Sequence, residues 1–222
     1  MADELMELDP TATNPDEADR ITGVAVAKVI DNIDALGTGR VQVSLPWLPG
    51  FEPWARVSTP MAGMARGIYF IPQIGDEVVV AFNLGDIREP FVIGSLWSTI
   101  DRPPALLPLD PVNKRVIRTP LGHEIKFDDL TQEISITSTT QQNITLGPAG
   151  VTISAGTLPP PARATITMDV LGNITIDAKV SLQLKAPLVS INGKKIDISA
   201  DVAATVKGGA NCTIQGGTVK IN

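Results

Sequence analysis

The chain contains 222 residues with a formal net charge of -6 and a pI near 4.8, so it is acidic and long enough for one or two domains. It has no Lys/Arg cluster that could release counterions from a phosphate backbone, which argues against nucleic-acid binding. One cysteine excludes an intrachain disulfide, and no run approaches the roughly 18 consecutive apolar residues of a membrane-spanning helix.

Residues 1–20 form the first predicted unit, a flexible acidic arm. They carry seven acidic side chains together with Pro10 and Pro15, a composition that favours disorder. Docking of this arm against a partner is the alternative interpretation. The arm has neither the basic nor the apolar region of a signal peptide, so we expect assembly in the cytoplasm.

Short β-strand patterns follow over residues 21–98. We predict strands at residues 21–31, 40–45, 54–57, 67–71, 77–82 and 90–97, separated by turn-forming residues. All three Trp, the single Tyr and four of the five Phe lie before residue 100, which supplies aromatic side chains for a conventional core. Five or six strands without a long amphipathic helix predict a small closed barrel such as an OB-fold.

A Met-rich loop lies among these strands and is followed by two aromatic residues. Met61, Met64, Tyr69 and Phe70 could line a binding surface on the barrel. The interpretation that we favour is that they pack in the barrel core or against neighbouring barrels in an assembly. Beyond the barrel, residues 99–118 contain four prolines and are predicted to form a linker.

The C-terminal segment, residues 119–222, is dominated by triplets of the pattern apolar-polar-apolar. Such triplets lie at residues 144–146, 151–153, 166–168, 174–176, 182–184, 189–191, 196–198, 212–214 and 219–221. From residue 166 onward they recur mostly at steps of seven or eight residues, which is an internal repeat. Each triplet alternates with period two and therefore has the pattern of a minimal strand.

A strand with so narrow an apolar edge must bury that edge by stacking. A parallel solenoid of one chain usually needs roughly 20 or more residues per coil, whereas one strand and one turn fill this repeat. We therefore predict an intertwined triple-stranded β-helix, in which three identical chains wind round a common axis and every strand bonds to strands of other chains. Such a prism has no lateral sheet edge.

A family resemblance rests on several segments in a fixed order. Residues 71–82 (IPQIGDEVVVAF), Gly85 and Asp86, Pro90 and residues 93–97 (IGSLW) resemble the OB-fold signature of phage baseplate assembly protein V and of the related VgrG spikes of type VI secretion. Residues 39–43 (GRVQV) and 54–57 (WARV) fit the same pattern, and residues 119–129 (TPLGHEIKFDD) resemble the start of the family's triple-stranded β-helix. The resemblance implies an all-β homotrimer with an N-terminal OB-fold barrel and a β-helix spike.

Departures from larger relatives imply two separate partners. Only about 20 residues precede the barrel, so the resemblance implies that the hub is a different protein. The linker leaves no room for the lysozyme-like domain of some phage spikes. The family also implies a PAAR-type tip protein on the C-terminal layer, and we expect Val219, Lys220, Ile221 and Asn222 to contact it.

Few residues are candidates for catalysis or metal binding. His123, the single histidine, lies in a predicted turn at the fibre entrance, where a surface or packing role is favoured over catalysis or metal binding. Cys212 has the inward parity of its triplet and is expected to be a small buried apolar residue, although three copies could meet as a soft-metal site.

The adjacent carboxylates also predict no catalytic site. Asp128 and Asp129, like Asp76 and Glu77, are neighbours in the chain and should point to opposite faces of a strand, so neither pair suits glycoside cleavage. We expect these side chains to be solvated.

We therefore predict a non-enzymatic central spike of a contractile injection machine, namely a phage tail, a phage-tail-like particle or a type VI-like system, with no cofactor. The barrels would dock to the hub, and the rigid spike would pierce the target envelope. The alternative is an OB-fold and β-solenoid fibre protein that binds or degrades glycans. That alternative would need exposed aromatic side chains or a carboxylate pair on one face of a wider solenoid.

Overall fold

The computed structural model describes residues 21–156 and 164–220, which form an all-β chain with one short helix. The acidic arm predicted at residues 1–20 lies outside the described residues, as do Ile221 and Asn222 of the predicted tip contact.

The first seven strands belong to an N-terminal barrel and a small hairpin. They are β1 (Val24–Asp31), β2 (Arg40–Ser44), β3 (Trp54–Val57), β4 (Ala62–Gly63), β5 (Arg66–Gly67), β6 (Glu77–Asn83) and β7 (Asp86–Leu96). The barrel closes in the order β1-β2-β3-β7-β6, with β6 paired back to β1. Neighbouring strands are antiparallel except β3 and β7, which are parallel. The predicted OB-like barrel is confirmed.

Alternation along the strands builds the barrel core. In β2 and β6 every second residue is buried, including Val41, Val43, Val78 and Val80, while their neighbours keep contact with solvent. A period of two places such residues on one face, and barrel closure turns that face inward. Trp47 lies outside this core and packs edge-on against Phe82, with 6.5 Å between the ring centroids.

For the loop between β3 and β6, one sequence prediction is wrong and one of two favoured alternatives is excluded. Residues 67–71 were predicted as a strand, but β5 ends at Gly67, and the hydroxyl of Thr59 donates to the carbonyl of Ile68 at 2.7 Å. The segment therefore bonds to its own loop instead of to a barrel strand. For the Met-rich loop, packing in the barrel core is excluded, because Met64 and Tyr69 are 97% and 80% exposed. Packing against neighbouring barrels stays a prediction.

A short helix connects the barrel to the second sheet. Helix α1 (Asp110–Asn113) starts with a buried carboxylate, which accepts hydrogen bonds from Lys114 Nζ at 2.8 Å and from the Leu107 amide at 2.9 Å. The Lys114 ammonium lowers the pKa of Asp110 below its ordinary value. The Asp129 amide donates to the Asn113 carbonyl at 2.8 Å, which ties this junction to the sheet that follows.

The second sheet is a seven-stranded antiparallel meander. Its strands are β8 (Lys114–Arg118), β9 (Glu124–Asp128), β10 (Glu133–Thr137), β11 (Asn143–Gly147), β12 (Gly150–Ala155), β13 (Ala164–Asp169) and β14 (Ile174–Ala178). Each strand pairs with the next one along the same chain. The prediction that every strand bonds to other chains is therefore wrong for β8–β14. The connections resolved between these strands are short enough to return the chain beside itself, and β8 occupies residues that we assigned to the linker.

Residues 179–220 differ from the meander. They form no helix or strand, and their side chains are exposed throughout. The triplets between residues 182 and 214 thus form no strand ladder among the described residues, and the predicted winding of the C-terminal triplets with two other copies stays a prediction.

Candidate functional site

The apolar face of the meander is the main candidate site. Strand register aligns one row of seven isoleucines across the sheet: Ile117, Ile125, Ile136, Ile144, Ile153, Ile166 and Ile176. A second row on the same face comprises Phe127, Ile134, Leu146, Val151, Met168 and Ile174. We call these two rows together the apolar face. Seven strands at roughly 4.8 Å spacing make it about 30 Å long.

The opposite face of the same strands is polar. Its central row comprises Ser135, Thr145, Thr152, Thr167 and Thr175. Arg118 and Glu124 form an ion pair across β8 and β9 with both side chains partly exposed. A sheet that is apolar on one face and polar on the other normally packs its apolar face against another layer.

None of the residues that the structure describes covers the apolar face. Side chains of the isoleucine row keep 37% to 51% of their surface exposed, and Phe127 keeps 42%. A soluble monomer rarely exposes a contiguous apolar patch of this length, and such patches mark sites of association. The apolar face is therefore a candidate surface for association.

Sequence reasoning found only part of this surface. Ile144 and Ile153 belong to the apolar-polar-apolar triplets of the sequence analysis, whereas Ile117, Ile125 and Phe127 lie outside those triplets. Their signal was present, because residues 124–128 (EIKFD) alternate with period two in the same way as the triplets.

The predicted chemical residues are dispersed. His123 lies in the turn after β8, where its carbonyl accepts from the Thr119 amide at 2.9 Å and its Nδ1 accepts from the Thr139 amide at 3.4 Å. Cys212 is exposed in this chain, so the prediction of burial is not met within one copy. Among the described residues, no group of three His, Cys, Asp or Glu side chains could hold a metal ion.

Asp128 corrects one sequence prediction. It is 7% exposed instead of solvated, because it lies at the end of β9 opposite Lys114 of β8 and accepts from the Thr131 amide at 3.3 Å. The carboxylate thus stabilises the turn that leads to β10.

Among the described residues, no helix has the length and apolar character needed to cross a membrane.

Asp34 organises the loop between β1 and β2. Its side chain is 4% exposed, and its carboxylate accepts from Arg40 Nη2 at 2.9 Å, from the Thr38 hydroxyl at 2.6 Å and from the Leu36 amide at 3.1 Å. The Arg40 guanidinium, followed by the Thr38 hydroxyl, holds the pKa of Asp34 far below its ordinary value. The guanidinium also lies 5.5 Å from the centroid of Trp54, so one carboxylate fixes the loop against β2 and β3.

Replacement of Asp34 by Asn is expected to lower the Tm at neutral pH, and this difference should shrink as the pH falls. The folded-state pKa of Asp34 is depressed, so its stabilising contribution is complete above the unfolded-state pKa near 3.9 and is lost as the pH falls towards the folded-state pKa. Circular-dichroism melts of both proteins between about pH 2 and pH 7 test this. The other acidic groups are the same in both proteins, so their titration affects both Tm values and largely cancels in the difference. A Tm difference that does not change with pH would therefore contradict a stabilising role of the Asp34 charge.

Comparison with known proteins identifies the barrel. Residues 25–97 match the family model of the type VI secretion system/phage-baseplate injector OB domain. The barrel segment is therefore similar to an injector OB domain. The resemblance to baseplate V and VgrG-like spike proteins that was inferred from the sequence is confirmed.

Named relatives contain regions similar to this chain. The type VI secretion system spike protein VgrG2a of Pseudomonas aeruginosa is 33% identical over 130 residues, which cover 52% of this chain and 15% of that protein. The spike protein VgrG3 of Vibrio cholerae is 30% identical over 124 residues, which cover 51% of this chain and 12% of that protein. The actin cross-linking toxin VgrG1 of Vibrio cholerae is 33% identical over 129 residues, which cover 54% of this chain and 12% of that protein.

The chain therefore spans no more than 15% of the length of these relatives. The barrel that matches the injector OB domain model is followed in this chain by the meander and its apolar face. The first feature is a barrel that matches a domain family of injection machines, and the second is a long, exposed apolar surface.

Proposed function

We propose that this protein is the structural central spike of a contractile injection machine and works as a homotrimer. The observation that carries the proposal is the uncovered apolar face of β8–β14 directly after an injector OB domain. Three copies that turn these faces to a common axis would form a triangular prism with apolar rows inside and threonine rows outside. Burial of so many aliphatic side chains would supply the driving force for assembly.

The same axis gives residues 179–220 a role. Each triplet in this segment is long enough for one short strand, and none of them pairs with a strand of the residues that the structure describes. Three chains could complete each layer by pairing with one another, which is the predicted intertwined β-helix. The meander would then be the part in which each chain forms its own side of the prism, and the β-helix the part in which the chains interwind.

The proposed parts act mechanically. The barrels dock to a separate hub protein, and the predicted acidic arm provides a further contact with it. A PAAR-type tip protein covers the C-terminal layer through Val219, Lys220, Ile221 and Asn222. The spike transmits the force of sheath contraction into the target envelope, without catalysis and without a cofactor. The protein assembles in the cytoplasm and becomes part of a virion, a phage-tail-like particle or a secretion baseplate.

The absolute mass of the purified protein tests this proposal. Light scattering coupled to size exclusion is expected to give three times the chain mass of 23.5 kDa, and the trimer is expected to persist in 1% SDS at room temperature. Interwound strands resist detergent because dissociation requires the layers to unravel. A species of 23.5 kDa without detergent would overturn the trimer and the spike with it.

A further inference from the structure

A small hairpin projects from the barrel and is ordered by its own hydrogen bonds. Residues 61–70, which we call the barrel arm, contain the paired strands β4 and β5. The Ile68 amide donates to the Met61 carbonyl at 3.0 Å. Gly67 has φ +151°, and a Cβ there would lie 2.6 Å from the Met61 carbonyl oxygen, so the close pairing of the arm requires glycine.

The barrel arm presents apolar side chains to solvent. Met64 at its tip is 97% exposed, and Tyr69 and Phe70 at its base are 80% and 65% exposed. An ordered hairpin that buries none of these side chains gains no hydrophobic stabilisation from its own chain. Exposed Met and aromatic residues are instead characteristic of contact surfaces.

The arm is continuous with the apolar face of the meander. A groove of about 640 Å³ is lined by Phe70 of the arm together with Ile117, Ile125, Ile136 and Ile144 of the isoleucine row. A partner that covers the isoleucine row at the barrel end therefore also reaches Phe70. The surface that needs a cover extends from the sheet onto the barrel.

We infer that the barrel arm docks on a second copy of this chain and so locks the barrels to the prism. This inference rests on the proposed trimer, because the occupant follows from continuity with the apolar face. The arm works as a clasp between copies, with Met64 in contact with the neighbouring copy and Phe70 closing the barrel end of the prism.

The barrel arm lies at the end of the barrel that faces the meander, so its proposed contact with a second copy is distinct from the proposed contact of the barrel with the hub. The arm follows the end of β3 and shares its groove with the meander, so it lies on the prism side of the barrel. The turn between β6 and β7 lies at the other end of β6, and its Leu84 is 87% exposed. Leu84 is thus the control position, since it is also an apolar residue with most of its surface exposed and lies on the opposite side of the barrel.

A photo-crosslinking experiment tests the clasp. The full chain is made with p-benzoylphenylalanine in place of Met64 or of Leu84, and each protein is irradiated and denatured by boiling in SDS. We expect covalent species of two and three times 23.5 kDa from position 64, in yields several times those from position 84. Peptide mapping should place the cross-link between copies, and the yield should not change on dilution of the assembled protein.

The outcomes distinguish this inference from the proposed function. A trimer by light scattering with cross-links from position 64 only within a chain, or with equal yields from both positions, would overturn the clasp and leave the spike standing. A monomer by light scattering would overturn both. The variants Met64→Asp and Leu84→Asp give a second readout, in which only Met64→Asp lowers the Tm of the trimer, and equal Tm values would overturn the clasp.

Discussion

Replacement of Ile144 by Asp is expected to abolish trimer assembly and leave a species of 23.5 kDa. Ile144 lies in the middle strand of the meander, in the centre of the isoleucine row, with Ile136 and Ile153 as its register partners. In the proposed prism, three introduced carboxylates would converge near one axis without a cationic partner. Burial of an unpaired charge costs several kcal/mol for each ion, so the loss should exceed what the remaining side chains can offset.

Thr145→Asp is the matched control for this prediction. Thr145 is the next residue in the same strand, and its side chain points to the polar face. The Thr145→Asp substitution introduces the same charge into the same strand as Ile144→Asp, so effects on the folding of the single chain should be similar in the two variants. Light scattering should give a trimer for Thr145→Asp and a monomer for Ile144→Asp. A trimer in both variants would mean that the apolar face is not the assembly surface.

Replacement of Gly150 by Ala is expected to destabilise the meander by about 3 kcal/mol or more. Gly150 has φ +126°, a conformation that L side chains rarely adopt. A Cβ at this position would lie 2.0 Å from the carbonyl oxygen of Met168, so the paired backbone of β12 and β13 would have to separate. Urea unfolding monitored by circular dichroism at a fixed protein concentration should detect a lower midpoint.

Gly147→Ala is the control on the same hairpin. Gly147 is the register partner of Gly150, yet a Cβ there would lie 3.4 Å from the flexible Glu133 side chain and would meet no backbone atom within 4 Å. A change of less than about 1 kcal/mol is expected. Equal destabilisation by both substitutions would contradict the close approach of β12 and β13 at Gly150.

The barrel core was accessible to sequence reasoning because burial there follows the alternation of apolar residues. Val41, Val43, Val78 and Val80 lie in segments predicted as strands, and all four are fully buried. The part of the family resemblance that lies within residues 25–97 was equally accessible, because it rests on the order of short motifs. These features are local, so neighbouring residues in the chain contain the information.

The barrel arm was less accessible. Its apolar composition allowed core packing or contact between copies, and only the exposure of Met64 and Tyr69 excludes the core. Asp128 shows the converse, since an acidic pair predicts solvation but the register opposite Lys114 buries one member. In both places the outcome depends on which residues become neighbours across the sheet or loop.

The alternating pattern of the sequence by itself determined that the chain is all-β, that its first part forms a closed barrel and that isoleucines share one face of each later strand. The tertiary structure decided how those strands pair. Period two specifies the face of a side chain but not the partner of its strand. Each strand from β8 to β14 pairs antiparallel with the next strand of the same copy, so the isoleucines become one continuous apolar face.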